Sequence, residues 1–335
     1  GVLIGTNLDR VSAVACGHAG LELWHRFCTF LHMSGRGTES AKHPSMVIPA
    51  RPSNAAPCDG DPGRWRAHID LGFQRDGNRT VLRRRQHVGP LRVQKPFYPE
   101  AEVCHVYLLH PPGGMAGHDQ LTINVTVAER AHVLLTTPAA NKVYRTRGLR
   151  SEVIQEIDLA PGCSGEWLPQ GTILFGGSSY AQRTVIRAAT SARFSCWDSI
   201  CLGRPASGDD FTQGSGEQSL AVFLDGKPLY LDRLDWTADA PLMCSGWGLQ
   251  SYKVLSQLLM YPADEDVLER ARQVTGDPAW QAVGRVGVTL VDGLLVMRML
   301  GDAAFQVQEL LQTLWSRLRP LVMGHAPCPP RIWAT

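Results

Sequence analysis

From Trp65 onward the chain alternates between apolar and polar residues. Trp65, Ala67, Ile69, Leu71 and Phe73 are separated by Arg66, His68, Asp70 and Gly72, the period of two that marks a strand with one buried face. Arg75-Asp76-Gly77-Asn78 supplies a turn, and Thr80-Val81-Leu82 opens the next strand. The same period recurs in Leu121, Ile123, Val125 and Val127. It returns in Val153, Gln155, Ile157 and Leu159, where Gln155 is the one polar exception. Shorter apolar runs span 172–175, 184–188, 220–224 and 228–234, and Asp225-Gly226 between the last two signals a tight hairpin. A helical period appears later. Val307, Leu310, Leu311, Leu314, Trp315 and Leu318 form one apolar stripe, with Asp302 as N-cap and Pro320 as the stop. A second helix is expected over 264–274, and 286–290 with 294–300 read as paired strands around Asp292-Gly293. Many strands and few helices predict a mainly β fold: layered, β-helix-like sheets carrying two α-helices near the C-terminus.

Residues 1–62 depart from this pattern. Leu21, Trp24, Cys28 and Leu31 fall on one face of a short helix. Glu22, His25 and Arg26 interrupt any signal-peptide core, and a Pro/Ser/Ala/Asn-rich segment follows from Pro44 to Pro62. The expectation is a poorly ordered extension or linker over 1–62 and one β-rich domain over 63–335.

Charge narrows the choice of partners. The 335 residues include 33 basic and 31 acidic side chains, a net charge of +2, which is not the profile of a nucleic-acid binder. The Arg83-Arg84-Arg85 triplet reads as a solvated strand or turn face. No run of about eighteen apolar residues offers a membrane span. The nine cysteines are odd in number, irregularly spaced and never arranged as CxxC. That argues against a zinc ribbon or a disulfide framework, and for thiols buried in a reducing, cytoplasmic protein.

Familiar catalytic signatures are missing: the sequence carries no Walker-type phosphate loop, no GxSxG elbow and no HExxH helix. The densest polar stretch runs from Cys104 to Asp119. Cys104, His105, His110, His118 and Asp119 are all of ligand type for a transition metal. Strand geometry puts Cys104, Val106, Leu108 and His110 on one face and His105, Tyr107 and Leu109 on the other, so these ligands converge only if the following loop folds back. A stand-alone metal-dependent hydrolase built on Cys104, His105, His110 and Asp119 is the enzymatic alternative. Asp198 and Asp232 sit in apolar strands, where a carboxylate must be paired, exposed or metal-bound. Arg204 is the expected partner of Asp198, and a basic residue across the sheet that of Asp232.

Several longer strings carry a family resemblance. Gln86 to Glu100 (QHVGPLRVQKPFYPE), Cys104 to Asp119 (CHVYLLHPPGGMAGHD), Leu134 to Pro138 (LLTTP), Glu166 to Gln170 (EWLPQ), Cys201 to Pro205 (CLGRP) and Pro330 to Thr335 (PRIWAT) resemble, in this order, segments of the UreD (UreH) family of urease accessory proteins. The resemblance implies a β-rich fold with few helices and a scaffold that is not an enzyme. It implies binding to the urease apoprotein and to UreF, with the GTPase UreG recruited through UreF, so that nickel is inserted into urease. No tightly bound cofactor is implied, only transient nickel, for which an internal passage is proposed in the family. By motif, the acidic positions implicated in activation fall on Asp119, Asp198 and Asp232. This chain departs from the family pattern at His118, where a second glycine is usual, and at Gly171, where an acidic residue often follows EWLPQ. The face of the C-terminal helix and Arg331-Ile332-Trp333 are candidate partner surfaces.

Overall fold

The computed structural model describes residues 65–334, so the expectation for residues 1–62 lies outside the described residues. One sheet has the spatial order β14 (Lys227–Thr237), β13 (Ser215–Leu224), β11 (Ser179–Ala188), β8 (Ser151–Leu159), β5 (Gln120–Val127), β1 (Arg66–Asp76) and β2 (Arg79–Val88). The second runs β16 (Gly284–Val291), β17 (Leu294–Gly301), β15 (Val254–Tyr261), β12 (Arg193–Leu202), β9 (Ser164–Leu168), β6 (His132–Thr136), β4 (Cys104–Leu109) and β3 (Arg92–Val93). The chain crosses from one sheet to the other and back, so β1, β5, β8, β11 and β13 pair in parallel, as do β4, β6, β9 and β12. This is the mainly β, solenoid-like architecture expected from the alternating pattern.

Each coil presents its inward residues to the same core. Ile69, Leu71, Val125, Val133, Phe194 and Val222 are among those at or near complete burial between the sheets. A short third face closes one corner, where β7 (Asn141–Val143) pairs with β10 (Thr172–Leu174) and β10 with the end of β12. Met115 bridges to Val143, Val143 lies beside Leu174, and Leu174 beside Leu202. All four side chains are fully buried, so the corner is an apolar ladder through successive coils. Antiparallel hairpins flank the parallel strands. Asp225-Gly226 and Asp292-Gly293 both have positive φ at each residue, the geometry that a two-residue hairpin turn demands.

Helices cover the outer face of the second sheet. Besides α1 (Glu265–Thr275) and α3 (Ala304–Val322) there is a four-residue turn of helix, α2 (Pro278–Gln281). Asp264 caps α1 by accepting the Val267 N–H at 3.0 Å. Two helix boundaries differ from expectation. Ala303, not Asp302, is the N-cap of α3 and offers no side-chain bond, and Pro320 lies inside the last turn. Leu318 and Val322 are both fully buried, so packing carries the helix past the proline despite its missing N–H. The apolar face of α3 is core against the sheet. Trp333 likewise packs between Trp197 and Trp315, at ring-centroid distances of 5.2 and 5.3 Å, and donates to Thr136 Oγ1 at 2.9 Å. The apolar helix face is therefore interior packing, while Trp333 is half-buried against it and Arg331 stays exposed.

Candidate functional site

The polar exception in β8 belongs to a row. Gln155 lies beside Thr184 of β11, Thr184 beside Leu220 of β13, and Leu220 beside Asp232 of β14. A second polar row lies on the facing sheet, where Asp198 of β12 sits beside Gln257 of β15 and Gln257 beside Arg298 of β17. The rows meet across the core. The amides of Gln182 and Gln218 both donate to Asp198 Oδ2, the latter at 2.8 Å. Arg298 donates to Asp232 Oδ1 at 2.6 Å and to the Tyr230 hydroxyl at 2.6 Å. A polar seam thus runs through an otherwise apolar interior, from Gln155 to the Asp232–Arg298 pair. A narrow cavity with room for a water-sized body lies on it, lined by Gln155, Trp167, Thr184, Asp198 and Gln257.

Electrostatically the two ends of the seam differ. Asp232 has a guanidinium partner, and Arg298 stays charged because Tyr230 and Asp232 outweigh the penalty of burial. Asp198 has none. Burial pushes its carboxyl up to about 6, against the Ser199 N–H, Gln218 and Gln182, whose hydrogen bonds favour the ionised form. Nearby, Gln257 Oε1 is buried with no hydrogen-bond partner, while Gln155 Oε1 accepts from Trp167 at 3.1 Å and Thr184 at 3.0 Å. The expected Asp198–Arg204 pair does not form. Arg204 lies on the exposed corner beside Asp209 at 3.6 Å, because β12 turns outward after Leu202. The basic partner of Asp232 comes from the facing sheet, since its neighbour within its own sheet is Leu220.

A second buried acidic group lies in the outer layer. Glu166 of β9 is completely buried, with Arg319 of α3 at 2.9 Å, Trp315 Nε1 at 2.7 Å and His132 Nε2 at 2.7 Å. Arg319 also donates to Glu100 at 2.6 Å, and Glu100 accepts from His105 Nε2 at 2.6 Å. Burial by itself would raise the Glu166 carboxyl. Its bond from His132 and the charges of His132 and Arg319 override this and hold it at about 2. This network was not anticipated. Its signal was Glu166 within an apolar strand and Arg319 four residues beyond Trp315, on the apolar stripe.

The cysteine–histidine stretch is dispersed. Cys104 points into the core between the sheets, where burial pushes its thiol up to about 11. His105 faces the opposite way, onto Glu100. His110 is kept toward its neutral form by burial, against the charge of Asp119. His118 takes a left-handed φ of 67°, the conformation that glycine adopts most readily. Asp119 fixes the turn: its Oδ2 accepts the Ala116 N–H at 2.7 Å and its carbonyl accepts the Glu152 N–H at 2.8 Å. Among the described residues no three His, Cys, Asp or Glu side chains are placed to hold a metal ion. Asp198 and Asp232 therefore share the seam, while Asp119 belongs to the corner.

Comparisons with known proteins agree with one another. The family model described as "UreD urease accessory protein" matches residues 66–334. Three proteins named urease accessory protein UreD are similar over most of their length. That of Alkalilimnicola ehrlichii is 44% identical, over 84% of this chain and 94% of the relative. That of Citrobacter koseri is 42% identical, over 81% and 92%. That of Klebsiella aerogenes is 41% identical, over 81% and 97%. No described helix is long and apolar enough to cross a membrane. With its coiled β architecture and this agreement over nearly all of the described residues, the chain belongs to the UreD family of urease accessory proteins.

Proposed function

We propose that this protein is a cytoplasmic scaffold for urease maturation. It binds the urease apoprotein and UreF, receives the GTPase UreG through UreF, and conducts nickel transiently along the seam between its sheets. Nickel is cargo here. The observation that carries the reading is the buried Asp198, whose carboxylate accepts from two side-chain amides and the Ser199 backbone N–H and lacks a cationic partner. A carboxylate so placed has unspent affinity for a cation, and amide oxygens such as that of Gln257 add neutral donors along the row. Few charges along a path favour release as well as capture, which a carrier requires. Asp232 is already held by Arg298, so a cation reaching it must exchange with the guanidinium. Asp119 acts by holding the corner turn that faces partners.

Reconstitution tests the proposal. Apo-urease is supplied with UreF, UreG, GTP, bicarbonate and nickel, with or without this protein and with Asp198→Asn. Urease activity should depend on the protein. Asp198→Asn should still co-purify with UreF but should lose most activation. Equal activation without the protein would sink the scaffold reading, and full activation by Asp198→Asn would sink the seam as a route.

A further inference from the structure

The corner ladder has an outer side as well as an inner one. Outside Val143, Leu174 and Leu202 the chain places Tyr144, Phe175 and Arg204 in successive coils. Phe175 meets Tyr144 edge to face, at 5.0 Å between centroids, and the Arg204 guanidinium lies 4.0 Å over the Phe175 ring. The strap that follows Tyr144 runs beside this stack. Thr146 is buried and pins it, donating its N–H to the Gly177 carbonyl at 3.2 Å and accepting the Ser179 N–H at 3.1 Å. Lys142 on β7 and Arg145 and Arg147 on the strap are all exposed, and Arg145 Nε donates to the Gly176 carbonyl at 3.3 Å. Arg204 has Asp209 nearby, yet among the described residues Lys142, Arg145 and Arg147 pair with no carboxylate.

We infer that this corner is a docking surface for an acidic segment of a partner protein. The chemistry is specific in three respects. Cations that no carboxylate of the described chain neutralises call for carboxylates from outside. The stacked Arg204 and the pinned strap are already ordered, so a partner gains contacts without the full entropic cost of fixing long side chains. Arginine beside tyrosine is the composition typical of the strongest positions in protein interfaces. A nucleic acid fits less well, because the face of Phe175 is covered by Arg204 and is closed to a stacking base. The inference rests on the maturation role proposed above, which supplies the partners to be tried.

The test measures binding of the full chain to immobilised apo-urease and, separately, to immobilised UreF. The wild type is compared with Arg145→Glu/Arg147→Glu and with Arg83→Glu/Arg85→Glu, which makes the same charge change on exposed β2. The corner variant should bind at least one of the two partners tenfold or more weakly, chiefly through a slower association that also falls with added salt. The β2 variant should stay within twofold of wild type, and unchanged circular dichroism and melting would exclude misfolding. If both partners bind the corner variant as well as the wild type, the docking inference fails and the maturation role stands. If the wild type binds neither partner, the maturation role fails and the inference falls with it. Loss confined to a single-stranded RNA probe, or to self-association by ultracentrifugation, would also overturn it in favour of those occupants.

Discussion

Asp198 and Glu166 lie on neighbouring strands of one sheet, and both are buried. Their surroundings are opposite. Glu166 faces the helical layer and receives an arginine, a histidine and an indole N–H. Asp198 faces the inter-sheet core and receives only neutral donors. The first acid is held down at about 2 and the second is pushed up to about 6. A buried carboxylate with matched charges fixes one element to another. One without them carries a standing cost, which persists where a charge is of use to something other than folding.

The largest test of this contrast is removal of Arg319. Arg319→Met should leave Glu166 and Glu100 without their shared cation and destabilise the protein by about 3–5 kcal/mol, read by urea denaturation at neutral pH. A loss under about 1 kcal/mol would show that the network is not a weld. Next is the pH dependence, where the two acids act with opposite sign. Asp198 holds a proton more tightly folded than unfolded, so its contribution is complete below about 4 and is lost as pH rises through about 6. That loss is at most ~3 kcal/mol, about 1.4 for each of roughly two pH units. Glu166 is the reverse: its contribution is present above about 4.5 and is lost as pH falls toward about 2. Asp198→Asn should flatten the upper window and leave the lower one in place, and an unchanged upper slope would refute the assignment to Asp198. The smallest effect is at the corner. Asp119→Ala removes one acceptor for the Ala116 N–H and should cost about 1 kcal/mol, with a lower melting temperature as its measure.

Much of the fold was legible because each coil needs one buried face. Period-two alternation located β1, β5 and β8, and the two Asp-Gly turns located their hairpins. Sheet order was less accessible, since stacking of coils depends on pairings between residues some thirty apart, such as Gln120 with Glu152. Asp198 and Asp232 drew notice as acids in apolar strands, but their partners did not. Gln182, Gln218 and Arg298 come from other strands, and a sequence does not reveal which rows will face each other across a core. Arg319 was hidden for a similar reason: a long basic residue near the end of an amphipathic helix reads as solvated until the acid beneath it is known. The dispersal of the metal-ligand types around Cys104 was legible, because closeness along a strand sends successive side chains to opposite faces, as Cys104 in the core and His105 on Glu100 do.

Arg319 also bears on how the protein comes off the ribosome. Its two carboxylate partners precede it by 153 and 219 residues. While the intervening coils are being made, Glu100 and Glu166 have no guanidinium to share. Early coils can pair with one another, but the outer layer of the second sheet stays open until α3 emerges. A chain halted before α3 would therefore display two acids and an apolar sheet face together, a marked surface on which quality control could discriminate finished molecules from unfinished ones.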